Sequence, residues 1–86
     1  MRYTVLWTPA AEQNLAAIWL NARDRNAVKD AANSVDSALR EDPHLKGESR
    51  EGPRRILFAG PMAVVFEVSH PDRTVQVLGV WVKKRR

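Results

Sequence analysis

The chain has 86 residues, the size of one small domain, and 44% of them are hydrophobic and 28% charged, as in ordinary folded proteins. It has no cysteine, which excludes disulfides, thiolate nucleophiles and cysteine zinc sites, and its two histidines cannot form a metal cage alone. The net charge of +4 is uneven, because residues 1–43 carry −1 and residues 44–86 carry +5. We therefore expect neither a metal nor a cofactor, and we expect a polyanionic partner, although a solubilising surface with a basic tail gives the same charge.

The chain opens with a short strand and a helix. Residues 2–7 are rich in Tyr, Thr, Val and Trp and predict a strand. Thr8 can cap a helix and Pro9 suits a first helical turn, so we expect a helix over residues 9–22. Its apolar stripe, interpreted as core rather than as an aromatic binding platform, consists of Leu15, Ile18, Trp19 and Ala22.

A second helix is predicted over residues 26–40. Asp24, Arg25 and Asn26 offer capping side chains for its start, and Asp42-Pro43 ends it, because a residue before proline is pushed out of helical geometry. Its apolar positions again share one side, as expected for a helical hairpin: Val28, Ala31, Ala32, Val35, Ala38 and Leu39.

The second half of the chain has the two-residue periodicity of strands. Residues 44–53 are polar and predict a loop, and His44 there, like His70 in a later turn, is interpreted as a solvated histidine rather than a general base. Strands are predicted over residues 54–59, 62–68 and 74–81, separated by turns at 60–61 and 70–73. The order β-α-α-β-β-β indicates an α+β fold, in which a small, mostly antiparallel sheet of about four strands carries the helical hairpin on one face.

The predicted core joins both halves in one domain, residues 1–86, with a basic tail over 82–86. Along the strand 62–68, alternation places Met62, Val64, Phe66 and Val68 in the core, and Ala63, Val65, Glu67 and Ser69 on the face away from the helices. The residues expected to be buried together are Leu15, Ile18, Trp19, Val35, Leu39, Val64, Phe66 and Val77.

The sequence lacks the common catalytic motifs, so basic residues near the sheet become the candidate site. No serine has a nucleophile-elbow context, and no glycine pattern matches a phosphate-binding loop. Either Arg54 or Arg55 is expected beside Glu67, as part of a site or as a surface ion pair. The second strand begins near Arg54 and the last ends near Trp81, so we expect one nucleic-acid-binding patch, where Trp81 either stacks a base or closes the core. The patch would consist of Arg54, Arg55, Lys83, Lys84, Arg85 and Arg86.

Two segments carry a resemblance to a known family. The run RRILFAGPMAVVFEV from Arg54 to Val68, followed by VQVLGVW at 75–81, resembles the RelE/ParE superfamily of type II toxin-antitoxin toxins. The resemblance extends to an opening strand that ends in aromatic-Thr-Pro-Ala, a helical hairpin that ends in Asp-Pro, an arginine at the start of the second strand and a glycine turn before the third. It covers nearly the whole chain and implies the same fold.

The resemblance also implies a function. Toxins of this family are small cytoplasmic proteins, linked to plasmid stabilization, that pair with an antitoxin and reach operator DNA through that complex. They either cleave mRNA, usually on the ribosome, or poison DNA gyrase. The resemblance thus implies an endoribonuclease, with a gyrase-directed toxin or an inactive nucleic-acid-binding relative as alternatives, and no contact with a membrane.

Two positions depart from the ribonuclease branch. Met62-Ala63 stands where that branch has Tyr-Arg, and Val82 precedes Lys83 where it tends to have a His, Lys or Tyr. RNA cleavage by a 2′-hydroxyl needs a proton acceptor, positive charge for the phosphorane and an acid for the leaving oxygen. The candidates left for these roles are Arg54 or Arg55 for charge, and Lys83 or Lys84 for proton transfer.

Overall fold

The computed structural model describes residues 2–43, 46–49 and 52–83. Two helices and five strands follow in the order β1 (Thr4–Trp7), α1 (Pro9–Asn21), α2 (Arg25–Arg40), β2 (Glu48–Ser49), β3 (Arg54–Ala59), β4 (Met62–Ser69) and β5 (Thr74–Val82). The helices pack on one face of a single open sheet, so the predicted α+β fold is confirmed. His44, Lys84, Arg85 and Arg86 lie outside the described residues, and the roles expected of them stay predictions.

The sheet has the strand order β1-β5-β4-β3-β2. β1 runs parallel to β5, and the other neighbouring strands are antiparallel, as the mostly antiparallel prediction requires. The prediction of about four strands missed β2, which lies inside the predicted loop and pairs Glu48 with Ile56 and Ser49 with Arg55. Both β2 residues are exposed, so burial imposes no apolar alternation that the sequence would show.

Capping side chains define the start of each helix. The Oγ of Thr8 accepts a hydrogen bond from the N–H of Ala11 at 3.2 Å and donates one to the carbonyl of Val77 at 3.0 Å. One predicted cap thus also ties the start of α1 to β5. In the second helix, the Oδ1 of Asp24 accepts a hydrogen bond from the N–H of Ala27 at 3.1 Å, which selects Asp24 among the predicted capping residues.

The core lies between the helices and the sheet. Five of the eight residues expected in it, Val35, Leu39, Val64, Phe66 and Val77, are fully buried, and Leu15 and Ile18 are partly buried against them.

The prediction that Trp19 is buried in the core is wrong, since 41% of this residue is exposed. At about 100° per residue, the buried stripe of α1 is centred on Ala11, Leu15 and Ile18, and Trp19 lies roughly 70° from that centre. Its ring instead stacks under the guanidinium of Arg25, which lies 4.4 Å from the ring centroid.

Alternation along β4 separates the two faces of the sheet as predicted. Met62, Val64 and Phe66 belong to the core cluster, whereas Ala63 is buried but outside that cluster. We call the side of the sheet away from α1 and α2 the outer face. A bulge at Leu78 shifts the register of β5 against β4, and the side chain of Asn14 accepts a hydrogen bond at 3.2 Å from the N–H of Val80 beside it.

Two leucines on the helices test this core. Leu39 is fully buried and Leu20 is 63% exposed. We expect Leu39→Ala to lower the free energy of unfolding by about 2–5 kcal/mol, through lost burial and a residual cavity. Leu20→Ala should change it by about 0.5 kcal/mol or less. Urea denaturation followed by circular dichroism measures both, and equal losses would contradict this assignment of the core.

Candidate nucleic-acid interface

The centre of the outer face is apolar. In register across the three strands β3, β4 and β5, Phe58 lies opposite Ala63, and Ala63 lies opposite Trp81. Phe58 is 46% exposed and Trp81 is 45% exposed, while Ala63 is not exposed at all. Since alternation directs Ala63 outward, the rings of its two cross-strand neighbours cover it. The result is a surface in which two large aromatic side chains remain half open to water.

Lys83 brings a positive charge to the same surface. Its Nζ lies 5.7 Å from the centroid of the Phe58 ring, within the range of a cation–π contact. Its backbone N–H donates a hydrogen bond of 2.8 Å to the carbonyl of Pro61, which extends the pairing of β4 and β5 by one residue. Among the described residues Lys83 makes no ion pair. Its charge is therefore available to an anion at this end of the outer face.

Arg54 is the arginine that lies beside Glu67. The two residues are opposite each other in β3 and β4, and the Nε of Arg54 is 3.6 Å from the Oε1 of Glu67. The side chain of Arg54 is 61% exposed and that of Glu67 is 34% exposed, so the pair stabilises the fold by about 1 kcal/mol at most. Arg54 is thus on the outer face, but with a carboxylate that offsets its charge.

Arg55 has a different environment, because alternation turns it away from the outer face. Its Nε donates to the carbonyl of Lys46 at 2.8 Å, its Nη1 to the Oγ of Ser49 at 2.9 Å and its Nη2 to the carbonyl of Gly47 at 3.1 Å. Gly47 has a φ of +68°, and a Cβ there would overlap the carbonyl of Ile56. The guanidinium of Arg55 therefore fastens the segment that contains β2 to the sheet.

The prediction of one basic patch is wrong for the described residues. Arg54 pairs with Glu67 at one end of β3, whereas Ala59, Met62 and Val82 are aligned at the other end. Because β3 and β5 both run antiparallel to β4, the start of one and the end of the other are roughly 16 Å or more apart along the strands. Arg54 and Lys83 share the outer face without forming one site.

Phe58 is the residue of this surface that the sequence interpretation missed. Its signal is in the alternation, since Phe58 has the same parity as Arg54 and faces Ala63 across the strand pair. A large apolar residue on the face away from the helices indicates either a second layer or a contact surface. Trp81 was found from the sequence, and its half exposure favours the contact-surface interpretation over the core interpretation.

The opposite side of the molecule has a groove of about 640 Å³ between α1 and α2. Apolar side chains form most of its wall: Trp7, Leu15, Ala16, Trp19, Leu20, Val28 and Ala32. Near the start of β1, the hydroxyl of Tyr3 and the Nδ1 of His70 are hydrogen-bonded at 2.9 Å, so His70 has a partner within the fold. In the described part of the chain no three His, Asp or Glu side chains are grouped for a metal, and no helix is long and apolar enough to span a membrane.

Comparison with solved structures identifies proteins whose fold is similar to that of this chain. The chain matches a structure of the RelBE2 toxin-antitoxin complex from Mycobacterium tuberculosis at 19% identity with a TM-score of 0.76, over 96% of this chain and 93% of that chain. It matches a structure of the chromosomal ParDE system from P. aeruginosa at 22% identity with a TM-score of 0.77, over 96% of this chain and 98% of that chain. The chain has a RelE/ParE-like toxin fold.

The same fold also occurs as part of a larger protein. TrmO from Pseudomonas aeruginosa matches at 20% identity with a TM-score of 0.64, over 93% of this chain but 35% of that chain. No family model matches the sequence, and no curated protein is significantly similar to it in sequence. The likeness to solved structures therefore agrees with the resemblance found in the sequence motifs, at identities of about a fifth.

The two arginines of β3 make a matched test of these assignments. We expect Arg55→Ala to destabilise the protein by about 1–3 kcal/mol, because three hydrogen bonds from a charged group are lost. Arg54→Ala should cost about 1 kcal/mol or less. Urea denaturation compares the two variants with the unchanged chain. A larger loss for Arg54→Ala would reverse the assignment of Arg55 as the structural residue.

Proposed function

We propose that this chain is the toxin of a type II toxin-antitoxin system, and that it inhibits translation by ribosome-associated cleavage of mRNA in the cytoplasm. The observation that carries the proposal is the outer face, which no described element covers, with Arg54 at one end and Lys83 at the other. The likeness to RelBE2 and to an archaeal RelE-RelB complex from Pyrococcus horikoshii supports the toxin role. The fold has one layer of helices, so the other side of the sheet is available to a large partner.

The outer face offers part of what RNA cleavage requires. Attack by a 2′-hydroxyl builds negative charge on the phosphorane, which a positioned ammonium or guanidinium stabilises. Lys83 satisfies this requirement at one end of the face, where no described carboxylate offsets it, whereas Arg54 is already paired with Glu67. We therefore assign the phosphate contact to Lys83 before Arg54, and we remove Arg55 from the catalytic candidates because its three donors are used within the fold.

One observation favours a second candidate, a gyrase-directed toxin. Ala63 stands where the ribonuclease branch has an arginine, and it is fully buried beneath Phe58 and Trp81, so that position presents no charge to RNA. A toxin that blocks gyrase by contact needs no catalytic set. The likeness to the ParDE system agrees with this alternative as well as the RelBE2 likeness agrees with cleavage.

The two candidates differ in what stops first after induction. On the cleavage proposal, expression of the chain halts incorporation of labelled amino acids while plasmid supercoiling is unchanged. Primer extension should then show new 5′ ends within translated mRNA. Early loss of negative supercoiling, with translation declining later, would contradict cleavage and support the gyrase candidate. A frame-shifted gene with the same promoter is the control for expression itself.

A cognate antitoxin is the expected partner, as in the RelBE2 and ParDE systems. We propose that an acidic or amphipathic segment of it neutralises the basic half of the chain, because residues 44–86 carry a net charge of +5. The described sheet also offers an edge for strand addition, since the described residues of β2 pair only with Arg55 and Ile56 of β3.

Salt dependence tests this mode of neutralisation. Affinity between the purified toxin and its antitoxin should fall as salt rises, because exposed charges are screened. Isothermal titration calorimetry at three salt concentrations measures the change. An affinity independent of salt, with contacts confined to α1 and α2, would show that charge does not direct the pairing.

A further inference from the structure

We propose that Trp81 stacks an unpaired base of single-stranded RNA on the outer face, while Lys83, held against Phe58, contacts the neighbouring phosphate. The inference rests on the proposed function, since it identifies where that face would hold its RNA. It concerns one end of the sheet, where β5 and its continuation pass alongside β4 and β3.

The register of the strands makes this end a flat surface. Phe58 and Trp81 are separated by two strand spacings of ~4.8 Å, with Ala63 between them. A larger residue in place of Ala63 would project between the rings, whereas the single carbon of alanine lies entirely beneath them. Gly79 adds no side chain to the neighbouring level of β5, where it pairs with Val65. At these two positions beside Trp81, no side chain extends beyond a single carbon.

Phe58 and Trp81 both expose apolar surface to water. Each leaves close to half of its surface in water, although the core of the same molecule buries Phe66 completely. Stacking a base on an aromatic ring is favourable for every base, because each has a flat π face. We assign the stacking to Trp81, which is 45% exposed, since the ammonium of Lys83 lies over Phe58.

Charge selects nucleic acid among possible occupants. Lys83 makes no ion pair among the described residues, and in the sequence it begins the run Lys83-Lys84-Arg85-Arg86. An acidic peptide would match this charge but would not supply planar groups at the spacing of a nucleotide. A duplex would supply phosphates, but its bases are stacked on each other. Single-stranded RNA offers both an accessible base and an adjacent phosphate.

Binding of a uridine oligomer of about ten nucleotides by the full chain tests the base contact. We expect Trp81→Leu to weaken this binding about 5-fold to 100-fold, and Trp81→Phe to restore most of it, because phenylalanine keeps a stacking face. An abasic oligomer of equal charge should bind Trp81→Leu and the unchanged chain alike. If the abasic oligomer binds the unchanged chain as tightly as the uridine oligomer does, the stacking proposal is overturned.

A matched variant distinguishes a loss of stacking at Trp81 from the effect of removing any half-exposed tryptophan. Trp19 is 41% exposed and Trp81 is 45% exposed, but Trp19 lies on α1 against Arg25. Trp19→Leu should therefore leave the affinity for the uridine oligomer unchanged. An equal loss in both variants would assign the effect to the stability of the fold and overturn the proposal.

The phosphate contact has its own signature. Lys83→Gln should make the plot of log affinity against log salt shallower by about 0.7, the value for one phosphate contact on a single strand, whereas Trp81→Leu should leave the slope unchanged. Lys83→Arg should restore it. An unaltered slope in Lys83→Gln would remove Lys83 from the site.

Fluorescence tests the base contact in a chain that retains Trp81. In a chain with Trp7→Phe and Trp19→Phe, Trp81 is the remaining one of three tryptophans. Its emission should be quenched by the uridine oligomer and not by the abasic oligomer. Absence of quenching at saturating uridine oligomer would overturn the proposal, as would equal quenching by heparin, which has charge but no bases.

These measurements distinguish failure of the base site from failure of the proposed function. If Trp81 is quenched and the Leu variant loses affinity, the base site stands even when induction leaves translation intact, and the proposed function alone fails. If induction cleaves mRNA but neither quenching nor loss of affinity is seen, the toxin proposal stands and the base site is wrong. A change in Trp81 emission on adding an acidic antitoxin peptide, with no binding of the uridine oligomer, would identify a protein surface instead.

Discussion

Burial of one face of a single sheet by two helices is the constraint on which the rest of this structure depends. The apolar side chains of β4 and β5 that face α1 and α2 are removed from water, and Phe66, Val64 and Val77 lie completely inside. Among the described elements, none covers the other side of the sheet. The alternation of strand residues therefore divides the molecule into a side that stabilises and a side that remains available for contact.

This division explains why two adjacent arginines have different roles. Arg54 and Arg55 point to opposite sides of β3 because successive strand residues do. Arg55 reaches back to Lys46, Gly47 and Ser49, and its guanidinium satisfies backbone groups that the short β2 strand cannot pair. Arg54 lies on the outer face against Glu67, where a partner with higher negative charge can compete for it. The outer face thus has a paired cation at one end and an unpaired cation, Lys83, at the other among the described residues.

The same architecture explains why structures from two different toxin-antitoxin systems resemble this chain to the same degree. RelE/ParE-like structures from a RelBE2 complex and from a ParDE system match this chain almost equally, at TM-scores of 0.76 and 0.77. Such similarity reports the helical layer and the sheet, which the burial constraint preserves. The fold does not fix the side chains of the outer face, and there Ala63, Phe58 and Trp81 form an apolar surface. A target that presents flat, partly apolar groups with negative charge suits this surface best.

The sequence by itself determined both helices and four of the five described strands, in the correct order. Apolar periodicity changes from helical to two-residue spacing after residue 53, and this change follows from burial on one side of each element. It also assigned both faces of β4 correctly. It did not place Trp19, because a helical stripe has margins whose burial depends on how the helix is rotated against its neighbours. It did not find β2, because an exposed two-residue strand has no apolar pattern.

The tertiary structure alone decided that Arg54 and Lys83 lie at opposite ends of the sheet, since strand direction and register are set by long-range pairings. It also decided that Phe58 and Lys83 meet, because these residues are brought together by two successive antiparallel strand pairs rather than by local spacing.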